Sequence, residues 1–172
     1  MDQSGGRLED GMAGIAIVCV GKLKERFYQD ACAEYIKRLS GYTKLEVVEL
    51  PEQKLPKDPS QGDIQNALEK EGDAIRRKIP PSSRVVALCI EGRMRSSEEL
   101  SRTIAGWQQH GADKNLVFII GGSYGLHPSI KAMAGMQISM SPMTFPHHLV
   151  RVMLLEQIYR AFKIQEGSDY HK

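Results

Sequence analysis

Cysteine is scarce in this chain, and the three present, Cys19, Cys32 and Cys89, are odd in number and widely scattered. A disulfide framework is excluded on that count. Two of the three lie inside apolar strand-like runs, so the expectation is buried reduced thiols, neither bridges nor metal ligands, in a reducing compartment: a cytoplasm or an organelle interior. Long hydrophobic runs are missing as well. No stretch approaches the roughly 20 apolar residues that a membrane span needs, so no membrane partner is expected. The segment Met1 to Gly14 has two Asp, one Glu and no hydrophobic centre, which fits neither a signal peptide nor a transit peptide and reads as a disordered extension. An excess of one charge is absent too. A formal net charge of +2 is too close to neutral to announce a nucleic-acid partner through the field of the whole molecule. Internal repeats and low-complexity segments are likewise lacking.

What is present is enough chain for one domain. At 172 residues the protein can bury roughly two thirds of its unfolded surface without a staple, and a single unit over 15–172 is the expected organisation. Short β-like runs alternate with longer helical ones. Ile15 to Val20 (IAIVCV) reads as a buried strand, ended by Gly21 before a helix from about Lys24 to Leu39. Leu45 to Leu50 (LEVVEL) is a second strand, and the proline-bearing stretch Pro51 to Gly62 is a loop. A helix from about Asp63 to Lys78 follows. Arg84 to Ile90 (RVVALCI) is a third strand, nearly all apolar, as a strand covered on both faces should be. Ser96 with Glu99 forms a capping-box pattern opening a helix to about His110. Strand Asn115 to Ile120, a short helix with Pro128 in its first turn, strand Gln137 to Ser141 and a helix from His147 to about Lys163 complete the chain. Strands separated by such helices imply an α/β fold, with a mostly parallel sheet and helices on both faces. Ligands then belong at the carboxyl ends of the strands. Three segments are candidates for that edge: Leu88 to Gly92, the glycine loop Gly121 to Gly125, and Ser139 to Pro146.

The glycine loop supports more than one reading. Its G-G-x-x-G spacing, late position and missing acidic partner argue against a dinucleotide fingerprint. Gly121-Gly122-Ser123-Tyr124-Gly125 does fit the letters of a serine-hydrolase elbow. Against that reading, the only Asp after Ser123 is Asp169, two residues before His171, so acid and base would both come from one terminal stretch. A third reading is a platform of bare backbone for a ligand's polar edge, and the plainest is a tight turn. In the second loop, rigid backbone from Ser139 to Pro146 can meet an adenine edge while Met140, Met143 and Leu88 wall it, though each methionine taken singly is more readily core filler.

The last helix is apolar nearly all round, which calls for burial on more than one side, and a symmetric dimer supplies the cover. Glu156 and Arg160, four apart, are expected to pair. Arg151, a cation amid apolar neighbours, requires a carboxylate or a phosphate. His127 and His148 read as surface or capping histidines. Lys22, Lys24, Arg26, Lys37, Arg38 and Lys44 make the region after the first strand basic, which an ordinary solvated helix face explains as well as a binding surface does.

GGSYGLH, SMSPMTFPHHLVR, MLLEQIYRAFKI and the terminal YHK, with the opening strand and Gly21-Lys22, together resemble the RlmH family over about Ile15 to Lys172. Members of that family are pseudouridine N3-methyltransferases of large-subunit ribosomal RNA and belong to the SPOUT class. The resemblance implies an α/β fold with a C-terminal trefoil knot, S-adenosylmethionine as methyl donor, and a homodimer acting on ribosomal RNA or an assembled ribosome. It implies that Leu88, Gly121, Gly122, Ser139, Met140, Ser141, Pro142, Met143 and Thr144 hold the donor. His147, Arg151, Tyr170 and His171 would border the target nucleoside, the tail acting beside the partner's pocket, with His147 or His171 as general base. Metal has no part in that chemistry. The basic surface and tail would cradle folded RNA; a catalytically silent RNA-binding assembly protein is the other reading of these segments.

Overall fold

Two runs, Ile15 to Val20 and Leu116 to Ile120, offer no polar side chain to water, and both are buried throughout at the middle of one sheet. A computed structural model describes residues 14–172. The elements are β1 (Gly14–Val20), α1 (Arg26–Leu39), β2 (Lys44–Leu50), α2 (Gln61–Lys78), β3 (Ser83–Met94), α3 (Ser97–His110), β4 (Asn115–Ile120), α4 (Pro128–Met133), β5 (Met136–Ser139) and α5 (His147–Gln165). The strands lie in the order β2-β1-β4-β3-β5, and every pairing is parallel. The expectation for residues 1–14 lies outside the described residues except at Gly14, which opens β1 instead of closing an extension.

Alternation along the strands builds a core on each face. Ile15, Ile17 and Cys19 of β1, with Leu116, Phe118 and Ile120 of β4, join Leu39 of α1, Leu100 and Ile104 of α3, and Leu154, Leu155 and Ile158 of α5. The intervening Ala16, Val18, Val117 and Ile119 meet Ile75 of α2 and Ile130 of α4 on the opposite face. Helices therefore cover both sides of the sheet, as the near-continuous apolar strands require. On its own chain α5 buries Leu154, Leu155, Ile158, Tyr159, Ala161 and Phe162 and leaves Val152 and Met153 half-buried.

The helix starts follow side-chain chemistry. Ser96 Oγ accepts from the Glu99 amide at 3.1 Å and Glu99 Oε2 accepts from the Ser96 amide at 2.8 Å, the reciprocal box read from the sequence. α2 has the same device at Ser60 and Asp63, so Asp63 is its third residue and the helix begins at Gln61. His127 caps α4 by accepting from the Ser129 amide at 3.1 Å. β3 runs on to Met94, past the expected Ile90: after Leu88 pairs with Ile138 the chain leaves the ladder, and Arg93 rejoins opposite the same Ile138. The excursion lifts Cys89, Ile90 and Glu91 to the sheet's carboxyl rim.

Replacing Ser96 by Ala removes one half of the box and should cost about 1 kcal/mol in urea unfolding, with an unchanged denaturant slope.

Candidate active site at the carboxyl rim of the sheet

A cavity of about 720 Å³ opens where β3, β4 and β5 end. Leu88, Gly121, Gly122, Ser139, Met140, Ser141, Met143 and Thr144 all line it, together with Phe145 and His147. Of the residues expected to hold a donor, Pro142 belongs to the same loop but is not part of the wall. The glycine loop is drawn tight: the Gly125 amide donates to the Gly122 carbonyl at 3.0 Å, and a β-carbon on Gly121 would stand 2.4 Å from the Gly125 oxygen. Only a bare α-carbon fits there. The second loop is fixed by hydroxyls, with Ser139 Oγ donating to the Ser141 carbonyl at 3.1 Å and the Met143 amide donating to Ser141 Oγ at 3.0 Å. Met143 is 72% exposed at the mouth, so it is not core filler. At the same rim Lys131 pairs with Glu91.

Beside the cavity three side chains converge on Gly21, the turn after β1. A β-carbon there would lie 3.2 Å from His147 Nε2, 3.4 Å from His148 Nε2 and 3.8 Å from Glu52 Oε2. Both Nε2 atoms are shielded from solvent and have no hydrogen-bond partner among the described residues. Burial pushes His147 below the ordinary imidazole value and the neighbouring His148 pushes it further down, while Glu52 acts in the opposite direction. Partial burial would raise the Glu52 carboxyl, but hydrogen bonding from Ser123, with the charge interaction of the two nearby histidines, brings it below its usual range. His148 is not a free surface group: its Nδ1 lies 3.4 Å from Glu25 Oε2 and its side chain is 17% exposed.

Arg151, one turn further along α5, is only 2% exposed. Nη1 donates to Glu49 Oε2 at 2.6 Å and Nη2 to the Gly21 carbonyl at 2.9 Å. The acceptor its sequence context called for is a carboxylate of the same chain. Glu49 Oε2 also accepts from the Leu23 amide at 3.0 Å, so one ion pair ties α5, the end of β2 and the β1–α1 turn together.

The tail lies elsewhere. Tyr170 Oη donates to Glu156 Oε1 at 3.2 Å, and burial, with Glu156 beside it, pushes the phenol up to about 12. His171 Nδ1 lies 3.1 Å from Arg160 Nη1, which can only donate; Nε2 therefore carries the imidazole proton and donates to Glu98 Oε1 at 2.8 Å. Glu156 also pairs with Arg160 at 2.6 Å, as their spacing implied. Tyr170 and His171 are thus tied to Glu156, Arg160 and Glu98; Glu156 also lines a second cavity of about 420 Å³, to which Arg95 and Gln157 contribute and which shares Leu88, Ser139 and Met140 with the first. On a single chain the structure gathers His147 and the two loops, with Arg151 behind them, and sets Tyr170 and His171 apart.

The serine-hydrolase reading does not survive this arrangement. Ser123 is turned to Glu52, whose Oε1 accepts from its amide at 2.9 Å, and the sole downstream histidine–aspartate neighbourhood is docked on α3 and α5. Burial raises all three cysteine pKa values, that of Cys19 to about 12, which leaves poor nucleophiles. Among the described residues no group of His, Cys, Asp or Glu could hold a metal ion, and no helix is long and apolar enough to cross a membrane. Sequence reasoning missed Glu49 and Glu52. The signal was available in a carboxylate at the end of an alternating strand and another just beyond it, both at the rim where ligands bind.

Arg151→Ala would strand Glu49 and the Gly21 carbonyl around a void and should cost about 3–5 kcal/mol in chemical denaturation. Lys at this position, which cannot serve both acceptors through a planar fork, should recover only part of that loss.

Comparison with known proteins bears on the fold and the family. In the solved structure described as a probable methylase family protein from Haemophilus influenzae Rd KW20, the same fold recurs with a TM-score of 0.56 and 13% identity, over 92% of this chain and 70% of that one. Residues 13–171 match the family described as Predicted SPOUT methyltransferase, and the chain belongs to that family.

Proposed function

We propose that this SPOUT methyltransferase methylates N3 of a pseudouridine in large-subunit ribosomal RNA, with S-adenosylmethionine as donor and a homodimer as the working unit. The observation that carries the reading is the rim cavity itself: bare backbone at Gly121 and Gly122, a rigid Ser139 to Thr144 loop, apolar walls at Leu88 and Met140, and a shielded imidazole nitrogen at the edge. A site of that make-up suits an adenosyl group, whose heterocycle needs apolar walls and a few backbone donors and acceptors. Pro142 would serve by stiffening the loop. When bound, the donor supplies a methyl group on a sulfonium, a good leaving group, so the protein's tasks are orientation and removal of the acceptor's N3 proton.

His147 is placed for the second task. Burial favours the neutral imidazole, the form that can take the imide proton once the ring turns its nitrogen to the cavity, and Glu52 would stabilise the imidazolium that results. Arg151 acts as a positioning residue: through Gly21 and Glu49 it holds the first turn of α5, and with it His147, against the rim. Tyr170, kept protonated, and His171 would serve the partner's site, and the half-buried Val152 and Met153 would lie under the second subunit. The trefoil knot implied by the family resemblance belongs to this reading as well, since threading there would bring the two loops together.

Calorimetry with S-adenosylmethionine separates this enzyme from a silent RNA-binding protein. The expected result is one saturable site per chain, abolished by Gly121→Val; absence of binding would favour the silent protein. Mass spectrometry of ribosomal RNA should then show one methyl on a pseudouridine lost in cells lacking the protein.

The pH profile tests the base. With His147 as base, the acidic limb of the single-turnover rate should lie below the ordinary histidine value of about 6.5. Glu52 raises His147, so Glu52→Gln should move that limb to still lower pH. A limb above that value, or one indifferent to Glu52, would point to another base.

A further inference from the structure

Phe27 is 64% exposed, the most exposed aromatic ring among the described residues, and three cations lie just before it in the chain. Lys22, Lys24 and Arg26 all face solvent, and the Arg26 side chain is 91% exposed with only a loose 3.9 Å approach to Asp30. Glu25, the acid within this run, is drawn toward His148. The segment is held in place rather than trailing, because the Leu23 amide donates to Glu49 Oε2 and Gln29 Nε2 donates to the Leu23 carbonyl at 2.8 Å.

From Phe27 a line of rings leads to the rim. Phe27 and Tyr28 have centroids 4.3 Å apart, Tyr28 meets His148 edge-on at 6.2 Å, and His148 meets His147 edge-on at 4.2 Å. His147 is part of the cavity wall. An exposed ring costs solubility and gives the domain's own core nothing, so its place needs an external account.

We infer that Phe27, with Lys22, Lys24 and Arg26, is a docking platform for unpaired RNA, stacking one base on the Phe27 ring while the cations meet its phosphates. Unpaired strands offer what this surface can use: open π faces for a ring, and backbone charge for lysine and arginine. Duplex RNA hides its base faces and leaves Phe27 unused. A protein partner is disfavoured by the charge complement, since the apolar area here is one ring amid cations. The platform fixes where a loop carrying the target nucleoside enters, and the line of rings sets its direction toward His147. This inference rests on the RNA substrate proposed above and names the part of the protein that receives it.

The test uses the full chain without methyl donor and reads fluorescence anisotropy of a labelled oligouridylate of about twelve nucleotides. Phe27→Ala should bind about 5- to 150-fold more weakly than wild type, Phe27→Trp should bind at least as well as wild type, and the salt dependence should be the same in all three. A Lys22→Gln, Lys24→Gln double variant should instead flatten the salt dependence. A labelled RNA duplex of equal length should not distinguish Phe27→Ala from wild type. Unchanged near-ultraviolet circular dichroism confirms that the exposed substitution leaves the fold alone. No binding by wild type, or equal binding by Phe27→Ala, overturns the inference; so does a shift of oligomeric state in Phe27→Ala by sedimentation, which would give the ring to a protein interface. Methyl transfer to ribosomal RNA is read separately. Wild-type transfer with Phe27→Ala indistinguishable sinks the platform alone, whereas Phe27-dependent binding without transfer sinks the proposed reaction alone.

Discussion

One buried guanidinium holds the working edge of this protein together. Arg151 spends its two terminal nitrogens on Glu49 and the Gly21 carbonyl, and Glu49 in turn accepts from the Leu23 amide. Three segments distant in sequence, the end of β2, the turn after β1 and the start of α5, are thereby locked at one corner of the sheet. Taking a guanidinium out of water is costly unless its partners are well placed, and the same cost means that the corner cannot loosen gradually. His147 and His148 sit one turn before Arg151, so their position follows from that lock. The Nε atom of Arg151 has no partner among the described residues, a small residual cost at a corner where position matters.

The rest of the site follows from a parallel sheet whose strands end at one rim. Peptide groups there have lost their ladder partners, and loops that leave the rim must satisfy them or offer them to a ligand. The glycine loop turns back so sharply that Gly121 has no room for a side chain, and the Ser139 to Thr144 loop holds itself with its own hydroxyls. The outcome is a cavity whose recognition groups are mostly backbone, with titratable groups confined to its edge. Burial then sets the chemistry of that edge: His147 is pushed toward its neutral form, while Tyr170, docked on Glu156, is kept protonated.

Much of this was legible in the residues. Asn115 to Ile120 begins and ends as its apolar run does, and α3 starts where Ser96 and Glu99 can cap each other. Local chemistry decides such features, and local chemistry is what a sequence displays. β3 was harder, because its continuation to Met94 depends on a return to Ile138, a partner more than forty residues away. Tertiary contact also hid the partner of Arg151. The need for an acceptor could be read from its apolar neighbours, but Glu49 could be named only once β2 lay beside β1. The two rim loops were visible through their glycines, prolines and hydroxyls, whereas Glu52 became relevant only when the loop after β2 met Ser123. The exposure of Phe27 depends on how α1 packs against the sheet, which its own segment does not display.

The central claim is that the turns ending β3, β4 and β5 jointly enclose an adenosyl methyl donor beside His147. A crystal structure of the full-length protein grown with S-adenosylmethionine tests it most directly. The account predicts density for the donor in the cavity, with its adenine against the Ser139 to Thr144 backbone and its methyl group directed toward the His147 side. Density for the donor at another place, or a rim left empty at saturating donor, would contradict it.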